Sequence, residues 1–268
     1  MAAVAASSTA MAAVTESYVA VAAVYGSAVA VEAVKANETA WSTLTGASSA
    51  VMGKAAAKLA GLNPADYADM AAVASSSTAM AAIASSQTAM TAVTGNSAAL
   101  NAVVSSQTAM AAIASSQTAM TAIASSQTAM TAVIGNSAAL NAVVSSQTAM
   151  TAIANNKTAI TAVEASAVAK NALYNSPLKT SISNIASTSS WTTRRNGKIW
   201  LISFRQTWSS GNTSMQHRST LKDGGTVSCT ASQSYNTDYR IDRFMDSITN
   251  YNSAGGIGNV CTYYFIPC

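Results

Sequence analysis

The chain has very little charge. Asp, Glu, Lys and Arg make up 9% of its 268 residues, whereas they make up roughly 25% of a typical domain. Residues 71–156 contain none of the four. An isolated soluble domain seldom has so long an uncharged stretch, and a disordered chain usually shows the opposite bias toward charge. The hydrophobic half of the composition is rich in alanine, which buries little area per residue.

The sequence also lacks long apolar runs and a recognisable export signal. Ser, Thr, Gln or Asn interrupts every apolar stretch before it reaches the ~20 residues of a transmembrane helix. The first residues, MAAVAASS, have neither the basic region nor the long apolar core of a signal peptide. Export by the usual secretory route is therefore not expected.

Cysteine and histidine are scarce. The three cysteines, Cys229, Cys261 and Cys268, form no Cys-x-x-Cys pair, so neither a metal site nor a redox motif is indicated. They allow a Cys261–Cys268 disulfide, a disulfide of Cys229 with either, three free thiols, or an inter-subunit bond through Cys268. The single histidine, His217, is a weak candidate for a metal site on a trimer axis. A surface histidine at the end of a strand is the simpler interpretation.

Residues suited to catalysis are few. No nucleophile elbow, phosphate-binding loop or metal-ligand cluster occurs. Asp238, Asp242 and Asp246 follow one another at helical spacing. They are interpreted as a solvated helix face or as salt-bridge partners of Arg240 and Arg243. We therefore expect no enzymatic activity and no cofactor.

What the chain does contain is a ten-residue repeat. From Met110 it reads MAAIASSQTA, MTAIASSQTA, MTAVIGNSAA, LNAVVSSQTA, with a large apolar residue at the first and fourth positions. Residues 91–110 and 131–150 differ only by Thr94 in the first and Ile134 in the second. Residues 1–51 have the same period one residue out of phase. The shift falls in Met52–Asp69, where Gly61 is typical of a helix end and Asn63-Pro64 of a helix start.

The composition of this decad favours an α-helix. Ala, Met and Gln are good helix formers, whereas on a strand positions one and four would point to opposite faces. Ten residues turn a helix through roughly 1000°, about 80° short of three full turns. The period therefore demands severe overwinding or local 3-10 tightening in every repeat. A β-solenoid or a fibrous β-spiral is the alternative.

The large apolar residues at the first and fourth positions of the decads, here called the apolar ladder, must be buried. A long uncharged helix gains little stability without tertiary contacts, so we expect several parallel copies to pack around it as a symmetric homo-oligomer. Ten decads of continuous helix would span on the order of 150 Å. The sequence predicts a helical, trimeric, coiled-coil-like shaft.

After Tyr174 the repeat ends and the composition changes. Residues 175–268 hold nine basic and four acidic side chains. Residues 198–208 are typical of a strand between turns, residues 218–229 of a hairpin around Asp-Gly-Gly, and residues 260–266 of a last strand. Residues 238–251 fit a short helix or another strand pair. The predicted fold class is therefore α+β and fibrous, with a small β-rich tip.

Four segments follow from these patterns. They are an N-terminal decad segment and possible attachment end at 1–51, a phase-shifting interruption at 52–69, a decad shaft at 70–174, and a C-terminal β-rich tip at 175–268.

The shaft repeats Ser75-Ser76-Ser77-Thr78-Ala79-Met80-Ala81-Ala82-Ile83 and its copies, and with this layout the chain resembles tail fibres and appendage fibres of tailed bacteriophages. The resemblance covers roughly residues 1–174. It implies a homotrimeric fibre in the virion, attached at its N-terminal end to tail or baseplate proteins. The tip would bind a bacterial surface glycan or outer-membrane protein.

Aromatic and basic residues of the tip are the candidates for receptor contact, since stacking and charge-assisted hydrogen bonds suit an anionic glycan. Nucleic-acid binding is not expected, because no interleaved basic stripe or known motif is present. The candidates are Trp191, Arg194, Arg195, Trp208, Arg218, Tyr235, Tyr239 and Arg240.

Other functions fit parts of the pattern. The chain could be a purely structural fibre or collar component, or the shaft of a bacterial trimeric adhesin, which would need a signal peptide and a membrane anchor. The recurring threonines resemble those of ice-binding proteins, but alanine replaces threonine at positions 98 and 138. A basic tip would also have no purpose in such a protein.

Overall fold

The computed structural model describes the backbone of residues 1–185, 192–207, 214–220, 226–232, 237–252 and 260–268. The chain divides into two compact units, Met1–Ala149 and Met150–Cys268. Each unit is described by itself.

Each decad of the first unit forms a short helix of its own. The helices are α1 (Ala2–Ala5), α2 (Ser8–Glu16), α3 (Tyr18–Tyr25), α4 (Ala28–Lys35), α5 (Glu38–Thr45), α6 (Ser49–Leu59), α7 (Met70–Ser75), α8 (Ser77–Ser85), α9 (Gln87–Gly95), α10 (Ser97–Val104), α11 (Gln107–Ser115), α12 (Gln117–Ala124), α13 (Gln127–Gly135) and α14 (Ser137–Val144).

A serine or asparagine caps the start of most of these helices, and at several junctions the same residue ends the preceding helix. Ser86 has extended dihedral angles (φ −99°, ψ 111°), and its hydroxyl accepts the N–H of Ala89 at 3.2 Å. The same residue is the C-cap of α8. An extended residue with a side-chain oxygen is the preferred helix N-cap. The helical prediction is thus confirmed, but the expected continuous, overwound helix is wrong, because the chain leaves the helix at every capping residue.

The short helices coil so that each packs on the one three further along the chain. Contacts of this kind join α8 with α11, α11 with α14, and α9 with α12. Capping serines reinforce them: the Ser106 hydroxyl donates to the carbonyl of Ala74 at 2.6 Å, and that of Ser116 to Ala84 at 2.5 Å. One turn of the coil therefore takes three decads.

The first and fourth positions of the decads form the core of this coil. Met80, Ile83, Met110 and Ile113 are each at most 1% exposed in the single chain. The sequence-based argument that the ladder can be buried only against other copies is therefore wrong. It assumed a continuous helix, whereas helices that turn back every decad pack their apolar faces on one another.

The phase-shifting segment has the predicted stop and start signals. After α6, Gly61 has φ +77°, the Leu62 N–H bonds the Ala57 carbonyl at 2.9 Å, and the Gly61 N–H bonds Lys58 at 3.1 Å. This is a Schellman end. Asn63 then caps a single 3-10 turn, Pro64–Asp66. The start signal is confirmed, although it opens a 3-10 turn instead of an α-helix.

The second unit contains the last helices and an antiparallel sheet. Helix α15 (Gln147–Ala154) crosses the unit boundary, and α16 (Lys157–Ala165) and α17 (Ala167–Tyr174) follow. The strands, in the spatial order β1-β6-β2-β5-β3-β4, are β1 (Thr180–Ile185), β2 (Thr192–Thr207), β3 (Ser214–Thr220), β4 (Thr226–Ser232), β5 (Thr237–Asn252) and β6 (Val260–Pro267).

Most of the predicted strands are present. The predicted first strand lies in β2, the hairpin is β3 with β4, and the last strand is β6. Residues 238–251 belong to one long strand, so the helical spacing predicted for Asp238, Asp242 and Asp246 is wrong. Strand β1 was not anticipated. It places Ile182 against the core among small polar residues, and it pairs at the sheet edge with β6.

Two of the three register shifts between β2 and β5 lie near the middle of β2. Asn196-Gly197, predicted as a turn before the strand, lies inside it at a register shift, with φ +103° at Gly197. A second shift at Ile202 affects the pairing of β2 with both β5 and β6. Opposite it, Asp242 on β5 has φ +51°. Such bulges bend a strand and redirect its side chains.

One face of this sheet forms a core of buried side chains, with Leu201, Phe204, Tyr263 and Phe265 at its centre. On α16, the Glu164 carboxylate accepts from Arg243 at 2.7 Å and from the backbone N–H of Phe244 at 3.0 Å. Glu164 therefore ties the helix to β5.

Among the described residues, no single helix is long and apolar enough to cross a membrane. Only the pair α3 and α4, bent by 98°, meets the length and composition criteria together.

Candidate anion-binding pocket

A small pocket opens beside the second bulge of β2. It has a volume of about 150 Å³ and is lined by Tyr174, Lys179, Ile202, Ser203, Arg205 and Tyr264. All six residues belong to the second unit.

The sheet and the end of α17 position these side chains. Ser203 on β2 is opposite Tyr264 on β6, immediately after the bulge at Ile202. Tyr174 is the last residue of α17. The Lys179 ammonium donates to the Tyr174 carbonyl at 2.9 Å and lies 4.5 Å from the centre of its ring. The carbonyl bond and the ring therefore hold this cation at the pocket.

The pocket is positively charged. Its described lining includes a lysine and an arginine but no carboxylate. Cationic donors form short, charge-assisted bonds to carboxylate and phosphate oxygens. Together with the two tyrosines and the Ser203 hydroxyl, they suit an anionic group of a few atoms, held next to an aromatic surface.

Arg240, a predicted contact residue, is engaged in the fold beside this pocket. Its Nε donates to Asp242 at 2.8 Å, and its Nη1 donates to Asn171 at 3.2 Å. Its guanidinium carbon lies 4.9 Å from the centre of the Tyr174 ring. Arg240 thus connects β5 to α17. The predicted pairing with Asp242 is confirmed, whereas Arg243 pairs with Glu164 on helix α16.

The structure describes only some of the other predicted contact residues. Arg194 and Arg195 lie half-buried on β2, and the Arg195 guanidinium stacks on the Phe265 ring at 4.7 Å. The backbones of Arg218 and Tyr239 lie in β3 and β5. Their side chains lie outside the described part of the structure, as do the whole of Trp191, Trp208 and Tyr235.

The described lining of the pocket includes none of the eight contact residues predicted from the sequence. The residues that the sequence analysis missed include Tyr174, Lys179 and Tyr264. Tyr174 and Lys179 fall where the repeat ends, and that break in pattern is a signal that could have drawn attention to them. Nothing in the sequence brings Tyr264 next to them, because this proximity depends on the pairing of β2 with β6.

The cysteines and the histidine do not form a site within the described residues. Cys268 is a free thiol that donates to the Ile266 carbonyl at 3.5 Å. Burial raises the pKa of this thiol to about 12. His217 and Cys229 are paired along the backbones of β3 and β4, but their side chains and that of Cys261 lie outside the description. No cluster of metal-ligating residues occurs among the described side chains.

Comparison with known proteins adds no family assignment. No protein-family model matches the chain, and no curated protein matches it significantly in sequence.

Proposed function

We propose that this chain is a structural fibre protein of a phage virion, and that its C-terminal region binds the bacterial surface during adsorption. The observation that supports surface binding is the cationic, aromatic pocket of Lys179, Arg205, Tyr174 and Tyr264. The support for a fibre is the resemblance of the Ser-Ser-x-Thr-Ala-Met repeats to those of phage fibres.

The charge of the C-terminal region is consistent with this role. Residues 175–268 contain nine basic and four acidic side chains, whereas the decads of residues 71–156 contain no charge. A concentrated positive field speeds the encounter with a negatively charged partner. The envelope of a bacterium is such a partner, and phosphate or carboxylate groups of its glycans fit a pocket of this size and charge.

Homotrimeric assembly and attachment through the N-terminal end to tail or baseplate proteins belong to the same proposal. They follow from the resemblance, since a single chain already buries the apolar ladder. The mass of the purified chain in solution tests the trimer directly, and a mass equal to that of one chain contradicts it.

The surface-binding proposal is tested with the full-length chain on a panel of intact bacterial strains. The double variant Lys179→Ala/Arg205→Ala removes both cations of the pocket. The control Lys157→Ala/Lys58→Ala removes two positive charges at exposed positions on helices α16 and α6, neither of which lines the pocket. We expect the chain to bind at least one strain, the pocket variant to lose that binding, and the control to retain it.

Two results would contradict this. If both double variants lose binding equally, net charge and not the pocket is responsible. If the intact chain sediments with purified virions but binds no strain, a purely structural role is favoured.

A further inference from the structure

The first unit contains a larger cleft, of about 450 Å³, far along the sequence from the basic region. Its volume lies within the ~300–1,000 Å³ typical of small-molecule sites. Helices α4, α5 and α9 contribute Lys35, Trp41, Thr45, Thr91, Thr94 and Gly95, and three further serine and threonine residues complete the lining. An aromatic ring therefore faces a surface made largely of hydroxyl groups.

The threonine hydroxyls present their oxygens as acceptors. Thr45 donates its proton to the Trp41 carbonyl, Thr91 to Gln87, and Thr94 to Met90, each at 2.9 Å. A hydroxyl oxygen has two lone pairs besides its proton. With these protons already used within the helices, the cleft offers acceptors to a ligand that carries many O–H donors.

The one charged side chain in the described lining of the cleft, Lys35, is balanced by a neighbouring carboxylate outside it. Lys35, whose ammonium lies 5.5 Å from the centre of the Trp41 ring, is paired with Glu32 at 3.0 Å. Both side chains are well exposed, so Lys35 can move away from the ring at little cost. A neutral ligand is therefore favoured over an anion.

The site is built by a buried polar residue. Asn96, which is 1% exposed, donates to the carbonyls of Thr45 and Ala47 at 2.8 and 2.9 Å. Its carboxamide oxygen also caps α10 by accepting the Ala99 N–H at 2.8 Å. These three bonds fix the end of α9, with Thr94 and Gly95, against the end of α5.

The sequence contains two nearly identical blocks, residues 91–110 and 131–150. The contacts around the cleft occur only in the first block. A Cβ atom at Gly95 would lie 3.2 Å from the Tyr25 hydroxyl and 3.9 Å from the Trp41 ring, whereas a Cβ at the equivalent Gly135 would meet nothing within 4 Å. The Tyr25 hydroxyl is buried and has no hydrogen-bond partner. The single difference between the blocks, Thr94 in place of Ile134, adds a hydroxyl where the cleft is.

We propose that this cleft binds a neutral saccharide. The ring of Trp41 stacks on the C–H face of a sugar, since the negative face of an aromatic ring attracts such hydrogens. The threonine oxygens accept hydrogen bonds from the sugar hydroxyls. This binding is independent of the anion pocket and of the function proposed for it.

Titration calorimetry and saturation-transfer NMR on the full-length chain test this with a panel of glucose, galactose, mannose, N-acetylglucosamine and their β- and α-linked oligosaccharides. We expect at least one to bind. Thr94→Ile, which recreates the sequence of the second block, should weaken that binding about tenfold, because it removes one hydrogen-bond acceptor for a sugar hydroxyl from the cleft.

The matched control is Ile134→Thr, which makes the reverse change in the other block and should leave binding unchanged. Circular dichroism checks that both variants fold. The proposal is overturned if no saccharide of the panel binds the intact chain, or if both variants weaken binding equally. Retention of binding by Lys179→Ala/Arg205→Ala separates this cleft from the anion pocket.

Discussion

The hydroxyl of Ser116 joins two turns of the helical coil, and its removal gives a direct test of the architecture. It accepts the Ala119 N–H at 3.2 Å as the N-cap of α12 and donates to the Ala84 carbonyl at 2.5 Å, across three decads. Its neighbour Ser115 is exposed and donates only to carbonyls of its own helix. The pair therefore provides a test and a control at adjacent positions.

The structure gives the expected magnitudes. Replacing an N-cap serine by alanine costs about 1 kcal/mol. Leaving a buried carbonyl without a partner costs about 1–3 kcal/mol more, and Ala84 is 1% exposed. Ser116→Ala should thus destabilise the unit by about 2–4 kcal/mol. Ser115→Ala should change stability by less than about 0.5 kcal/mol, since it removes only a bond within its own exposed helix surface.

Thermal and urea unfolding, followed by far-UV circular dichroism, measure the difference. For a unit of this size 1 kcal/mol corresponds to roughly 2–4 °C in Tm, so Ser116→Ala should lower Tm by about 4–16 °C and Ser115→Ala by at most about 2 °C. Equal effects of the two variants would refute the coil, because in one continuous helix the two serines would be equivalent surface residues.

Two further predictions concern close packing and burial. Gly53→Ala should destabilise the first unit severely, because the added Cβ would lie 2.3 Å from the backbone of Asp69. Gly135→Ala should be neutral or stabilising, because a Cβ at this position meets nothing within 4 Å. Unfolding curves of the two variants measure the difference in stability. With the other two cysteines replaced by serine, Cys268 should resist alkylation at about pH 8 until the chain unfolds, because the reactive thiolate is suppressed by burial. Since its pKa is raised from 9.0 to about 12, stability should fall as pH rises through this window; rapid alkylation of the folded chain would contradict both statements.

The helical state of the decads could be predicted from the sequence, but their termination could not be inferred from the period alone. A ten-residue period leaves a deficit of about 80° per repeat on a helix. The chain removes this deficit by breaking the helix at residues such as Ser86 and Asn96. Serine or asparagine at one position of every decad is a capping signature, and giving it more weight than the period would have led to the correct architecture.

The pocket of the second unit could not be predicted for a different reason. The separation of Tyr174 and Tyr264 along the chain is closed only by the sheet order and by the bulge at Ile202. A bulge depends on the register of three strands at once, which no local pattern encodes. Basic and aromatic residues could therefore be predicted as a class, while the particular residues that meet could not.

The lack of charge in the decads determines the chemistry of their exposed surface. The apolar positions of the decads face inward, so the outward positions, such as Gln87, Thr88, Gln107 and Thr108, form the exposed surface. These are polar but uncharged, and a surface without charge lacks the like-charge repulsion that keeps soluble proteins apart. This uncharged outer surface therefore favours lateral association of copies. The apolar ladder does not, because it is buried within each chain. A fibre built in this way would bring together folded coils and would not depend on other chains to form its core.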